Sequence, residues 1–155
     1  MVCADDTGLH CRKSPRLKEY DYSSPGYYFV TICTQDKVCL FGNPGQLNSA
    51  GVIAEKGILE IEKHFKNVKV DKYVVMPNHV HMILALEKGS APVPEIIGQY
   101  KSVVTREIHK RQWKGAVWQA SFHDHIIRNQ TAYEKIWLYI DANPVNWQKD
   151  CFCTE

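Results

Sequence analysis

Two histidines two residues apart, His79 and His81, interrupt the apolar stretch "YVVMPNHVHMILAL" just after a Pro-Asn turn. In a β-strand alternate side chains share a face, so both imidazoles would project from the same side of a sheet. Two imidazole nitrogens on neighbouring same-side positions can reach one divalent cation. A plainer account makes them half-exposed strand histidines, each hydrogen-bonded locally. Near the other end of the chain Tyr139 and Asn143 stand four residues apart. On a helix that spacing puts them on one stripe, one turn from each other. The stripe falls roughly 90° from the centre of the apolar face formed by Tyr133, Ile136, Trp137 and Ile140. From that flank an Asn143 oxygen can complete a triad with His79 and His81 and bring the Tyr139 hydroxyl beside the metal. Singly, Tyr139 is also explained as an amphipathic packing residue and Asn143 as a helix end before proline. Three separate parts that fit one chemistry favour the functional reading.

The elements that must position these groups follow from periodicity. "GYYFVTICT", rich in aromatic and β-branched residues, predicts a buried strand, and "CLFGNPGQ" a short extended piece ended by Gly and Pro. Over residues 49–65 the pattern turns helical, with Ala54, Ile58, Ile61 and Phe65 on one face. "NVKVDKYVVM" and "HVHMILAL" predict two strands joined at Pro77-Asn78, with Val80, Met82 and Leu84 pointing away from the histidines. "VPEIIGQYKSVVTREIHK" predicts a helix with Pro94 in its first turn and Ile97, Tyr100, Val104 and Ile108 as its buried stripe. "AVWQASFHDHIIR" reads as a fourth strand with an irregular exit. A last helix opens on a capping box, Thr131 with Glu134, and stops before Pro144. The order matches an α+β, ferredoxin-like split β-α-β layout, an antiparallel sheet with helices against one face. The C-terminal helix is an addition to it. The expected organisation is an irregular basic arm over residues 1–18, one domain over 19–150 and a tail over 151–155.

Bulk properties are those of an ordinary globular protein. Of 155 residues about 45% are apolar and 23% charged, and the net charge is +2. No global basic field therefore announces a polyanion partner, and local charge must carry that argument. No apolar run approaches the ~20 residues that span a bilayer, and "MVCADDTGLHCRKS" lacks the apolar core of a signal peptide. A cytoplasmic protein with reduced cysteines is expected. Cys3, Cys11, Cys33, Cys39, Cys151 and Cys153 contain no C-x-x-C pair, which argues against a structural zinc.

With those residues in view, "MPNHVHMI" resembles the His-hydrophobic-His motif of the HUH endonuclease superfamily. Within it the chain resembles the single-tyrosine transposases, and among them the REP-associated tyrosine transposases. The resemblance runs through "RLKEYDYSSPGYYFVTICTQ", "YVVMPNHVHMIL", "IIGQYKS", "VWQASFHDHIIRN" and "YIDANPVNW", nearly the whole chain. It implies a ferredoxin-like fold, cleavage of single-stranded DNA, a divalent metal and a covalent phosphotyrosine. The family's nucleophile falls on Tyr139, its metal-binding histidines on His79 and His81, and its polar ligand one helical turn after the tyrosine on Asn143. At "SFHDHIIR", where aromatics are usual in the family, His123 and His125 make a second H-x-H. A rival metal site there, or His125 joining the metal, stays open.

A phenol ordinarily ionises near pH 10 and attacks poorly without help. A cation that binds a scissile phosphate oxygen neutralises charge and fixes in-line geometry. Histidine and amide donors point to Mg²⁺ or Mn²⁺, the nitrogens leaning toward Mn²⁺. The resulting expectation is a DNA nicking and strand-transfer enzyme acting on single-stranded or hairpin DNA, as a monomer or a homodimer. Phosphate contacts are expected from Lys101, Arg106, Lys110, Arg111 and Lys114 on and after the second helix, and from Arg12, Lys13, Arg16 and Lys18 in the arm. Arg128, expected close to the site, is the favoured single phosphate ligand. A non-catalytic single-strand-binding module, stacking bases on "GYYFVTICT", would survive metal chelation. A phosphohydrolase using activated water would dispense with Tyr139.

Overall fold

The computed structural model describes residues 16–111, 113–150 and 152. Arg12, Lys13 and the cysteines at 3, 11, 151 and 153 lie outside the described residues. The elements are β1 (Gly26–Cys33), a tiny hairpin of β2 (Gly42–Asn43) and β3 (Gln46–Leu47), and α1 (Ser49–His64). They continue with β4 (Val68–Met76), β5 (His79–Leu86), α2 (Val93–His109), β6 (His123–Ile127) and α3 (Gln130–Ala142). The four long strands form one sheet in the order β4-β5-β1-β6, every neighbour antiparallel. This is the expected ferredoxin-like arrangement.

Strand alternation divides the core in two. Tyr28, Val30 and Ile32 of β1, with Val80, Met82 and Leu84 of β5, face α1 and α2. Against them lie Ala54, Ile58 and Ile61 of α1 and Ile97, Tyr100, Val104 and Ile108 of α2, all buried. Gly57 sits mid-helix in α1 because a Cβ there would fall 2.8 Å from Val104 Cγ2 and 2.9 Å from Tyr100 Cε2. Close approach of the two helices outweighs the ~1 kcal/mol of helix propensity that glycine gives up. The Asn48 side chain accepts from Gly51 N and caps α1.

The additional helix docks on the opposite face of the sheet. Ile136 and Ile140 of α3 pack on Phe29, Ile83 and Ile127. At the rim Lys72 Nζ bonds Asp141 Oδ1 at 2.7 Å and lies 3.8 Å over the Trp137 ring, and Tyr133 donates to Asp71 Oδ2 at 3.2 Å. The sheet is thus covered on both faces, which explains why the inner strands read as near-continuous apolar runs.

Three expectations need correction. Asn129, whose side chain accepts from Ala132 N at 2.8 Å, caps α3 instead of Thr131, and Glu134 accepts from Gln130 Nε2. The fourth strand is confined to His123–Ile127; before it the chain pairs through an isolated Thr34–Trp118 bridge, so the irregularity precedes the strand. "GYYFVTICT" is no stacking surface, since within β1 Tyr28 through Cys33 are buried and Tyr27 alone is well exposed.

Candidate metal and nucleophile site

His79 and His81 open β5 directly after the turn, paired in register with Cys33 and Thr31 of β1. They project from the α3 face and are 0% and 1% exposed. Each ring is held at Nδ1. The Asn78 amide donates through Nδ2 to the carbonyls of Lys37 (3.3 Å) and Phe152 (2.6 Å), which leaves its Oδ1 facing His79 Nδ1 at 2.9 Å. That oxygen can only accept, so His79 carries its proton on Nδ1 and its lone pair on Nε2. His81 Nδ1 lies 2.8 Å from Thr31 Oγ1; when the ring donates to that hydroxyl, Nε2 keeps its lone pair.

Burial pulls His79 down to about 4, against an opposing pull from the Asp150 carboxylate and the nearby Asn143 amide. Burial, then the neighbouring His79, holds His81 well below the ordinary histidine range. Both rings are therefore neutral at pH 7, the form that binds metals.

Asn143, the C-cap of α3, is 3% exposed and donates through Nδ2 to Asp150 Oδ2 at 2.7 Å. His79 Nε2, His81 Nε2 and Asn143 Oδ1 are all buried and make no well-formed hydrogen bond among the described residues, although the Asn143 side chain stands close enough to His79 to raise its pKa. An orphaned buried polar atom ordinarily costs ~1–3 kcal/mol. Three around one site, two imidazole nitrogens and an amide oxygen, form a donor set that fits Mn²⁺ or Mg²⁺. The Tyr139 ring lies beside them, 5.3 Å from the His81 ring and 6.3 Å from that of Phe29, edge-on to both. Tyrosine, histidines and amide thus converge within one chain.

The residues beyond α3 were not anticipated. A 3-10 turn at Trp147–Lys149 carries Asp150 and Phe152 back over the imidazoles. The Phe152 ring sits 4.6 Å from the His79 ring and 5.9 Å from that of His81, with Trp147 5.9 Å from His79. Asp150 Oδ2 is 3.9 Å from His79 Nε2, its side chain 1% exposed. Ligand atoms of His79, His81 and Asp150 all lie within 4.8 Å of one another. Thr31, Asp150 and Phe152 carry no local sequence signal for this role. Asn78 does, as the residue adjoining the first histidine.

The second H-x-H stands apart. His123 pairs with Thr31 and His125 with Phe29, on the same face as His81 but two strands over, about 10 Å away. Neither joins a potential metal cluster among the described residues, and neither Cys33 nor Cys39 does. Arg128 follows Ile127, which pairs with Tyr27, whereas His79 pairs with Cys33. Six residues of β1, roughly 20 Å, separate those rungs, so Arg128 lies at the far end of the sheet from the imidazoles. Lys101, Arg106 and Lys110 instead line an open groove with His109 and residues 116–120. Its wall reaches the histidine end of the sheet: Gln119 N bonds Cys33 O, and Thr34 N bonds Asn78 O. Burial, then the Arg16 charge, lower the Lys101 ammonium.

No helix among the described residues is long and apolar enough to cross a membrane. The chain is 35% identical to an uncharacterized protein of Haemophilus influenzae, over 97% of each chain. It is 29% identical to a REP-associated tyrosine transposase of Escherichia coli K12, over 56% of this chain and 52% of that one. A solved REP-associated tyrosine transposase bound to a REP hairpin superimposes with a TM-score of 0.68 at 23% identity, over 85% of this chain and 73% of the other. A putative transposase from Deinococcus radiodurans gives 0.55 at 16% identity, over 81% and 95%. Residues 25–143, which span the sheet, the histidine pair, Tyr139 and Asn143, match the family described as "Transposase IS200 like". The chain belongs to the IS200-like transposase family, and its resemblance within it is to the REP-associated tyrosine transposases.

Proposed function

We propose that this transposase cuts and rejoins single-stranded DNA through Tyr139, with a divalent cation held by His79, His81 and Asn143. The observation that carries this reading is the set of three orphaned buried donors, His79 Nε2, His81 Nε2 and Asn143 Oδ1, beside the Tyr139 ring. When bound, Mg²⁺ or Mn²⁺ supplies charge neutralisation at a phosphate oxygen and orients the phosphorus for in-line attack.

The chain's own residues do the rest. Asn78 and Thr31 hold the rings with Nε2 toward the site. Ile136 and Ile140 fix α3 on the sheet, so the Tyr139 phenol is positioned before substrate arrives. The phenol oxygen attacks phosphorus as its proton leaves to solvent. The bond to the 3′ oxygen breaks, giving a 5′-phosphotyrosine and a 3′-hydroxyl that takes up a proton. Attack by another 3′-hydroxyl reverses the step and joins strands with no external energy source. A single chain suffices, because tyrosine and histidines come from the same copy. The substrate is a hairpin with a flanking single strand, a reading supported by the hairpin bound to the structural relative. Its stem lies in the groove of Lys101, Arg106 and Lys110. Arg128, at the far end of the sheet, contacts phosphates several nucleotides from the cut.

The test is incubation with end-labelled hairpin DNA, with Mn²⁺ or with EDTA, followed by denaturing electrophoresis. A slow-migrating protein–DNA band that requires Mn²⁺ is expected. Cleavage without any such band points to hydrolysis and overturns the reading.

A further inference from the structure

We propose that Asp150 is a further protein ligand to the cation, a carboxylate that completes the site in the DNA-free enzyme. The inference rests on the metal site proposed above and adds a ligand to it. Four observations lead there. Asp150 Oδ2 stands 3.9 Å from His79 Nε2. Two donors each about 2.1 Å from one ion can be at most about 4.2 Å apart, so a shared cation allows that spacing. The other imidazole falls within the same 4.8 Å circle. The Asp150 side chain is 1% exposed and accepts from the Asn143 amide at 2.7 Å and from the Phe152 backbone N–H at 2.9 Å. Both donors are uncharged groups. A buried carboxylate favours an opposite charge beside it, and a divalent cation at the orphaned Nε2 atoms would supply one.

The chain makes the placement deliberate. Asn143 N–H₂ binds Asp150 while its own Oδ1 remains orphaned, so one amide both aims the carboxylate and offers a donor. Asp150 Oδ1 is tied to its own turn through Phe152 N, leaving Oδ2 toward His79. A hard, charged oxygen added to two imidazoles and an amide strengthens the preference for Mn²⁺ or Mg²⁺ over softer ions. The Asp150 turn lies outside the sheet and α3, so an incoming phosphate oxygen can take its coordination position without moving the histidines.

The experiment is Mn²⁺ titration of the DNA-free protein by calorimetry, with free Mn²⁺ checked by electron paramagnetic resonance. Wild type is compared with Asp150→Asn, Asp150→Ala, His81→Ala and Phe152→Ala, each confirmed as folded by circular dichroism. Asp150→Asn and Asp150→Ala should weaken Mn²⁺ binding at least tenfold. His81→Ala should abolish it, and Phe152→Ala, which keeps the carboxylate, should change it less than threefold. Equal affinity in wild type and Asp150→Asn, with His81→Ala silent, overturns the role of Asp150 and leaves the proposed function standing. No Mn²⁺ binding by wild type overturns both. Should the Asp150 variants fail to fold, carbon NMR of aspartate-labelled wild type decides. Mg²⁺ must shift one aspartate carboxyl resonance, and an unchanged spectrum overturns the proposal.

Discussion

Asn78 holds the ring of its neighbour His79. The amide is oriented by two carbonyl acceptors, on Lys37 and Phe152, and therefore presents its oxygen to His79 Nδ1 at 2.9 Å. The proton is fixed on Nδ1 and the lone pair on Nε2, so the residue before the motif sets the tautomer that binds metal.

Asn78→Ala should consequently weaken Mn²⁺ binding roughly 10- to 100-fold, the usual effect of losing a partner behind a ligand. Thermal melts give the readout. Saturation of wild type at a hundred times Kd adds ~2.7 kcal/mol, which for a chain this size is a rise of roughly 5–10 °C. The same Mn²⁺ concentration should move the variant far less. Equal shifts would show that the Asn78 contact is incidental.

The metal-free protein should lose stability as pH falls below neutrality. The folded-state His79 sits at about 4, below its ordinary value of 6.5, because burial disfavours the charged ring. The unfolded chain therefore takes up the proton first. The histidine contribution is complete above pH ~6.5 and lost progressively down to pH ~4, where the folded form protonates as well. For His79 alone the gap corresponds to ~3 kcal/mol, and His81 acts in the same direction. Urea melts at pH 7.5 and 4.5 measure this, and His79→Gln should flatten the difference. A flat profile in wild type would contradict the burial of neutral imidazoles.

Phe152 covers the two rings at 4.6 and 5.9 Å, and His79 is fully buried beneath it. On the reading proposed above, a scissile phosphate approaches the imidazoles from the side this ring covers. Phe152→Ala should therefore raise the rate of covalent-complex formation several-fold while Mn²⁺ affinity stays within threefold. An unchanged or lower rate in a folded variant would show that the ring supports the site instead of closing it.

Most of the fold was legible in the sequence because its signals are local. The H-x-H spacing, the apolar runs of β4 and β5 and the four-residue separation of Tyr139 and Asn143 each follow from strand or helix periodicity. The α3 cap was misplaced because Asn129 and Thr131 are both competent capping residues, and only the backbone selects between them. Arg128 was misjudged for another reason: β6 runs antiparallel to β1, so its C-terminal end lies opposite Tyr27, not opposite Cys33. Asp150 and Phe152 left no trace, since their role depends on the chain folding back after α3, a long-range event with no periodic signature.

The central claim is that Tyr139 is the nucleophile beside a cation held by His79 and His81. Its most direct measurement is mass spectrometry of the protease-digested covalent complex formed with Mn²⁺ and a hairpin oligonucleotide. The account predicts the nucleotide adduct on the peptide containing Tyr139, with no adduct from Tyr139→Phe or from His81→Ala. An adduct on another residue, or one that persists in Tyr139→Phe, would contradict it.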